Sequence, residues 1–209
     1  MNKQLSVKLL VISLTLSLIS ADTAPKSTSL RKSFYGWKQI SGTCRNQRHE
    51  ILMQRSQKPV VFKTEEACRV QSGDWVDFYT MQTDQLAEDV TMDHVVSLKY
   101  AYDHGAKQWP KKKRVQFYND EDNLVLTGRQ TNAKKNYYAP DEWLPKSQFA
   151  QCKYVERWDY IATKYHLIIE QSIEKRIAEV QLKCTPGETR TPDHLVRSQA
   201  LYPTELRAQ

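Results

Sequence analysis

Four cysteines, Cys44, Cys68, Cys152 and Cys184, constrain most strongly what this chain can fold into. They follow a segment built like an export leader. Lys3 and Lys8 make its start positive, Leu9 to Ile19 is uncharged and apolar, and Ala21 offers a small residue for cleavage. An apolar run of that length is too short to cross a hydrocarbon core of about 30 Å. Residues 1–21 therefore read as a signal peptide and the mature chain as secreted or periplasmic. An even number of cysteines in an exported chain reads as a disulfide framework with three possible connectivities. Pairing within each half, Cys44 with Cys68 and Cys152 with Cys184, closes two moderate loops and is the expectation. A zinc site is the competing reading, but no two of these cysteines have the close spacing that structural zinc sites use.

The residues between the leader and Cys184 suffice for one domain with its own core. The full chain carries a net charge of +7, and removing Lys3 and Lys8 with the leader leaves +5. That balance leans toward an anionic partner such as nucleic acid, although many basic proteins bind none.

Residues 22–41, rich in Ser, Thr and Lys around Pro25, read as a flexible leader. A weak helix is expected from Asn46 to Ser56, and short strands around Val60 to Phe62 and within Arg69 to Tyr79, with Gly73 as a turn. Val90 to Val96 is a β-branched run holding Asp93 and His94. Helices follow from Leu98 to His104, ended by Gly105, and from Pro110 to Tyr118. Leu124 to Thr127 reads as a strand, Gly128 as a turn into the segment 129–135, and two closing helices as roughly 146–165 and 170–182. Trp75, Trp109, Trp143 and Trp158 are expected in the core. Residues 185–209 carry Pro186, Pro192 and Pro203 without periodicity and read as a disordered tail. The string from Glu188 to Arg207 resembles the product of a frame read through a transfer-RNA gene, so no role is assigned to His194.

Chemistry concentrates in Thr91-Met92-Asp93-His94-Val95-Val96-Ser97-Leu98 and in Asp122-Asn123-Leu124 through Asn132-Ala133-Lys134-Lys135. In an extended segment neighbouring side chains point to opposite faces, so Asp93 and His94 cannot serve one ligand alike. One can hold a cation while the other faces an adjacent water. Asn132, on an expected helix, offers a neutral oxygen of the kind that completes a hard-metal site.

The order Asp-His-Val-Val-x-Leu, Asp-Asn-Leu, Asn-x-x-Lys resembles the HNH, or ββα-metal, nuclease motif. The closer resemblance is to small exported bacterial HNH nucleases related to the C-terminal module of GmrSD-type restriction enzymes. It extends over Cys44-Arg45-Asn46-Gln47-Arg48-His49-Glu50-Ile51-Leu52, Cys68 to Trp75 and Asp141-Glu142-Trp143-Leu144-Pro145, roughly Gly42 to Cys184 in all. The resemblance implies a single α+β domain, residues 42–184, with a ββα-metal core braced by helices and disulfides. It implies His94 as general base, Asp93 and Asn132 as ligands of one divalent cation, and Asn123 as the residue that orients the catalytic loop. Mg²⁺ is the expected ion, with Mn²⁺ or Zn²⁺ as alternatives. Thr91, Ser97 and Ala133 stand where the motif commonly has an acidic residue, Pro and Arg.

The implied activity is endonucleolytic hydrolysis of DNA, with RNA as an open second substrate, leaving 5′-phosphate and 3′-hydroxyl ends. Sequence specificity is expected to be low. Arg129, Lys134 and Lys135 flank the motif and are expected to hold the nucleic-acid backbone, which sets affinity without reading sequence. The run Lys111-Lys112-Lys113-Arg114 is equally a solvated helix face or a phosphate contact. His49, His104 and His166 receive no catalytic role. Two rival readings stand beside the nuclease: a catalytically dead nucleic-acid-binding domain, and a secreted protein-interaction module indifferent to His94→Ala.

Overall fold

The structure, a computed structural model, describes residues 27–184. The expected signal peptide, residues 22–26 and the tail 185–209 lie outside the described residues. Seven α-helices, one 3-10 helix and five strands run in the order α1 (Ser27–Ser33), α2 (Gln47–Arg55), β1 (Val61–Phe62), β2 (Val70–Val76), β3 (Thr83–Leu86), β4 (Val90–His94), α3 (Leu98–Asp103), the 3-10 helix (Ala106–Gln108), α4 (Lys111–Tyr118), β5 (Leu124–Gly128), α5 (Arg129–Lys135), α6 (Gln148–Tyr165) and α7 (Gln171–Gln181) among the described residues. The fold is α+β. No helix among them is long and apolar enough to cross a membrane.

Two antiparallel sheets are present in this region, one of order β1-β2-β3 and one formed by β4 and β5. The β4–β5 pair keeps continuous register from Val90 opposite Gly128 to His94 opposite Leu124. The chain passes from Gly128 directly into α5, which packs across both strands. Gly73, expected as a turn, instead lies inside β2, where the pairing with β3 shifts between Ser72 and Trp75. A Cβ there would stand 2.6 Å from the Trp75 ring and 2.7 Å from Ser56 Oγ, so only glycine lets the indole lie against this backbone.

Two apolar clusters hold the elements together. The smaller one gathers Ile51, Leu52, Val70, Trp75, Val90, Met92, Leu124 and Leu126 between α2, β2 and the β4–β5 pair. The larger one joins α3, α4, α6 and α7 around Phe117, Tyr154, Trp158 and Ile161. Trp75 and Trp158 are fully buried, while Trp109 and Trp143 are partly buried against the larger cluster.

Part of the expected leader is built into this core. Residues 27–33 form α1, Leu30 and Phe34 are buried in the larger cluster, and Trp37 packs against both clusters. The polar composition of 22–41 conceals these three apolar side chains, which fix residues 27–37 to the core.

The cysteines pair as Cys44–Cys68 and Cys152–Cys184, over sequence separations of 24 and 32 residues. The first clips the entry of α2 to the entry of β2. The second ties α6 to the chain just after α7.

Candidate active site

β4 sorts its residues onto two faces. Val90 and Met92 enter the smaller cluster, and His94 continues that face. Thr91 and Asp93 share the opposite face.

His94 lies among aromatic rings. Its imidazole is near-parallel to Trp37 and Phe117, at 11° and 10° with centroids 6.2 and 6.4 Å away. The Tyr118 ring tilts against it at 4.9 Å. Nε2 lies 2.8 Å from the Tyr118 carbonyl oxygen. A carbonyl only accepts, so the neutral tautomer that satisfies this contact carries its proton on Nε2, and Nδ1 is left with a lone pair. Burial pushes the imidazole pKa down to about 4, against the raising effects of that carbonyl and of Asp93. The ring is therefore uncharged at neutral pH.

Asp93 is buried and held from two sides. Its Oδ2 accepts the Tyr79 hydroxyl at 2.7 Å and lies 2.9 Å from Lys135 Nζ. Burial, then the Asp93 charge, pushes the Tyr79 pKa far above its ordinary value, so Tyr79 remains a donor. Among the described residues nothing bonds Asp93 Oδ1, and the side chain keeps 8% of its surface exposed.

Asn123 is fully buried. Its Oδ1 accepts the Val96 N–H at 2.8 Å, and its Nδ2 donates to the Val96 carbonyl at 3.2 Å. Its own carbonyl accepts the Val95 N–H at 2.8 Å. The two residues after His94 are thereby fixed to the start of β5.

Asn132 lies mid-way along α5, half-buried, with no hydrogen bond to its side chain among the described residues. Arg129 and Lys134 are exposed, and the Arg129 Nε donates to the Glu88 carbonyl. Lys135 departs from the expected backbone contact. It is 0% exposed, paired with Asp93, and donates to the His94 carbonyl at 3.1 Å. A lysine reads as surface by default, but burial is tolerated when a carboxylate and a carbonyl take its protons. In the run 111–114, Lys113 donates to the Tyr165 carbonyl at 3.1 Å and lies over Trp109, while Lys111 lies over Tyr35.

Three participants escape the sequence reading. Tyr118 acts through its backbone carbonyl, which no residue type announces. Tyr79 reaches Asp93 from the chain just after β2, a long-range contact. Trp37 left a signal: an indole close to Leu30 and Phe34 in a segment read as polar.

Residues 45–179 match the family described as GmrSD restriction endonucleases, C-terminal domain. A relative from Arthroderma benhamiae (strain ATCC MYA-4681 / CBS 112371), described as an uncharacterized secreted protein, is 30% identical over 162 residues, covering 77% of this chain and 78% of that protein. Comparison with solved structures gives no significant match. The family match runs from Arg45 at the entry of α2 into α7 and includes every residue placed around Asp93 and His94 except Trp37, so the chain belongs to the family of GmrSD restriction endonuclease C-terminal domains.

Proposed function

We propose that this protein is a secreted, metal-dependent endonuclease of the HNH type that hydrolyses phosphodiester bonds in DNA, with RNA as an open second substrate, and with little sequence preference. One observation carries the reading: His94 has Nε2 committed to the Tyr118 carbonyl, which leaves a neutral Nδ1 as a proton acceptor on the residue that follows Asp93. Membership in a restriction-endonuclease domain family supports the substrate class. The order β4, β5, α5 around these residues is the arrangement a ββα-metal core would have.

The donors fit a hard cation. Asp93 Oδ1 is unbonded among the described residues, Asn132 supplies a second oxygen, and Mg²⁺ is commonly held by one or two protein ligands while keeping several waters. Among the described residues no group of three or more His, Cys, Asp and Glu side chains suited to an ion is found, so waters would fill most of the coordination positions around an ion held by Asp93 and Asn132. Asp93 and Asn132 would hold the cation, which when bound offsets the negative charge gathering on the phosphoryl and leaving oxygens.

The chain's own residues do the rest. His94 Nδ1 takes the proton of the attacking water; with its pKa held down to about 4 the imidazole is free to accept at neutral pH but is a weak base, so a bound cation would have to acidify the water. Tyr79 and Lys135 fix the Asp93 carboxylate, and Asn123 fixes the turn that follows His94. Arg129 and Lys134 contact the nucleic-acid backbone. Two disulfides and the secreted relative support an oxidising, extracellular location.

Supercoiled plasmid tests this reading. Oxidised mature protein nicks it with Mg²⁺ or Mn²⁺, stops with EDTA, and yields ends that a ligase reseals, as 5′-phosphate and 3′-hydroxyl require. Cleavage that is unaffected by chelator would remove the metal from the reading. No cleavage of plasmid or RNA with Mg²⁺, Mn²⁺ or Zn²⁺ would remove the activity.

A further inference from the structure

A second feature lies two residues along β4 from Asp93. A cleft of about 640 Å³ opens between α2, the β1-β2-β3 sheet and the starts of β4 and α5. Arg48, His49, Lys63, Arg69 and Arg129 line it, together with Thr91, and Glu88 is the acid in the lining. Among the described residues no carboxylate pairs with Arg48, Lys63, Arg69 or Arg129. Arg48 is held by backbone carbonyls instead, with Nη2 at 3.1 Å from both the Ala87 and the Val90 oxygens.

Positive charge gathered without counter-charge repels itself, and the cleft shows that stress. Burial, then the neighbouring Arg129, holds the Arg48 guanidinium below its ordinary pKa. Burial, then Arg48 and Arg69, holds His49 down, and His49 Nδ1 accepts the Val70 N–H at 3.3 Å. A bound anion relieves both.

The cleft is continuous with the candidate active site along two elements. On β4, Thr91 lines the cleft and Asp93 follows on the same face, about 7 Å further along the strand. On α5, Arg129 lines the cleft, Lys135 holds Asp93, and Asn132 falls between them at three-residue spacing along the helix.

We propose that this cleft binds the phosphodiester backbone of nucleic acid, with Arg48, Lys63, Arg69 and Arg129 seating phosphates next to the bond presented at Asp93. The identity of the polymer rests on the function proposed above. The cleft makes guanidinium and ammonium contacts with phosphate, which add affinity and register and carry no sequence information.

Binding of a short fluorescein-labelled single-stranded DNA, followed by anisotropy in EDTA, tests this apart from cleavage. The double variant Lys63→Gln/Arg69→Gln alters two exposed side chains that form no hydrogen bond among the described residues. Lys175→Gln/Lys183→Gln, on and just after α7, removes the same charge elsewhere. The cleft variant is expected to bind about tenfold more weakly and to flatten the slope of log K against log salt by about 1.4, at roughly 0.7 per lost contact on a single strand. The α7 variant is expected to stay within about twofold of wild type. Equal losses in the two variants overturn the cleft. Wild type that binds through the cleft yet never cleaves overturns the nuclease reading and leaves the cleft standing. Wild type that cleaves while both variants bind alike does the reverse.

Discussion

Lys135 Nζ lies 2.9 Å from Asp93 Oδ2, and the lysine is entirely buried. The pair joins the end of α5 to the end of β4, so the carboxylate proposed to hold a cation is fixed by the helix that carries its partner ligand. Breaking a buried pair from one side strands a charge, at about 3–5 kcal/mol. Lys135→Met is expected to lower stability by that amount in urea unfolding with disulfides intact. Adding Asp93→Asn to it is expected to recover about 1–3 kcal/mol relative to the sum of the single losses. Strict additivity would mean that the two groups do not interact.

His94 makes stability depend on pH with a fixed sign. Its folded pKa is about 4, below the ordinary value of 6.5, so between these the unfolded chain binds the proton and the folded chain does not. The contribution is complete above pH 6.5, declines as pH falls toward 4, and amounts to roughly 3 kcal/mol over that window at about 1.4 kcal/mol per pH unit. Urea midpoints of wild type and His94→Leu in EDTA, taken from pH 7 to pH 4, are expected to converge. Parallel curves would show that His94 titrates as in an unfolded chain.

Asn123 serves the Val96 N–H and carbonyl from a fully buried position. Asn123→Ala leaves both groups unpaired, which costs about 2–4 kcal/mol. Asn123→Asp still accepts the Val96 N–H but, when ionised, sets a buried carboxylate against the Val96 carbonyl, so it is expected to lose less only at pH low enough to keep the carboxyl protonated. Initial rates at a temperature where Asn123→Asp remains folded are expected to fall below wild type, because the turn after His94 loses one of its ties. An unchanged rate would limit Asn123 to stability.

The two disulfides brace different parts of the machinery. Closing loops of 24 and 32 residues contributes roughly 3–4 kcal/mol each if the gain lies in the unfolded chain's entropy. Cys44→Ser/Cys68→Ser frees the segments carrying Arg48 and Arg69, so oligonucleotide affinity is expected to fall along with melting temperature. Cys152→Ser/Cys184→Ser loosens α6 against α7, and is expected to lower melting temperature while affinity below the transition is unchanged.

What the sequence made legible is local or covalent. The helix from Gln148, the strand in the β-branched run at Val90 and the compact strand at Leu124 form as expected, and of the three possible cysteine pairings the structure has the expected one. Asp93, His94, Asn123 and Asn132 were singled out by their order along the chain, through resemblance to a nuclease motif. The environment of those residues was not legible, because it is made by contacts across long separations. Tyr118 offers a carbonyl, Lys135 hides a charge that composition reads as solvated, and Trp37 reaches His94 from a segment whose polarity suggests disorder. The cleft escaped for the same reason. Arg48, Lys63, Arg69 and Arg129 come from four stretches of sequence, none of them dense enough to read as a basic patch.

The claim that His94 is the base is tested most directly by the initial rate of plasmid nicking in Mg²⁺ for wild type and for His94→Ala, each shown to be folded by near-ultraviolet circular dichroism. A positioned general base contributes about 10²–10⁴-fold, and the rate of the variant is expected to fall by that factor. A folded His94→Ala protein that nicks as fast as wild type would contradict the account.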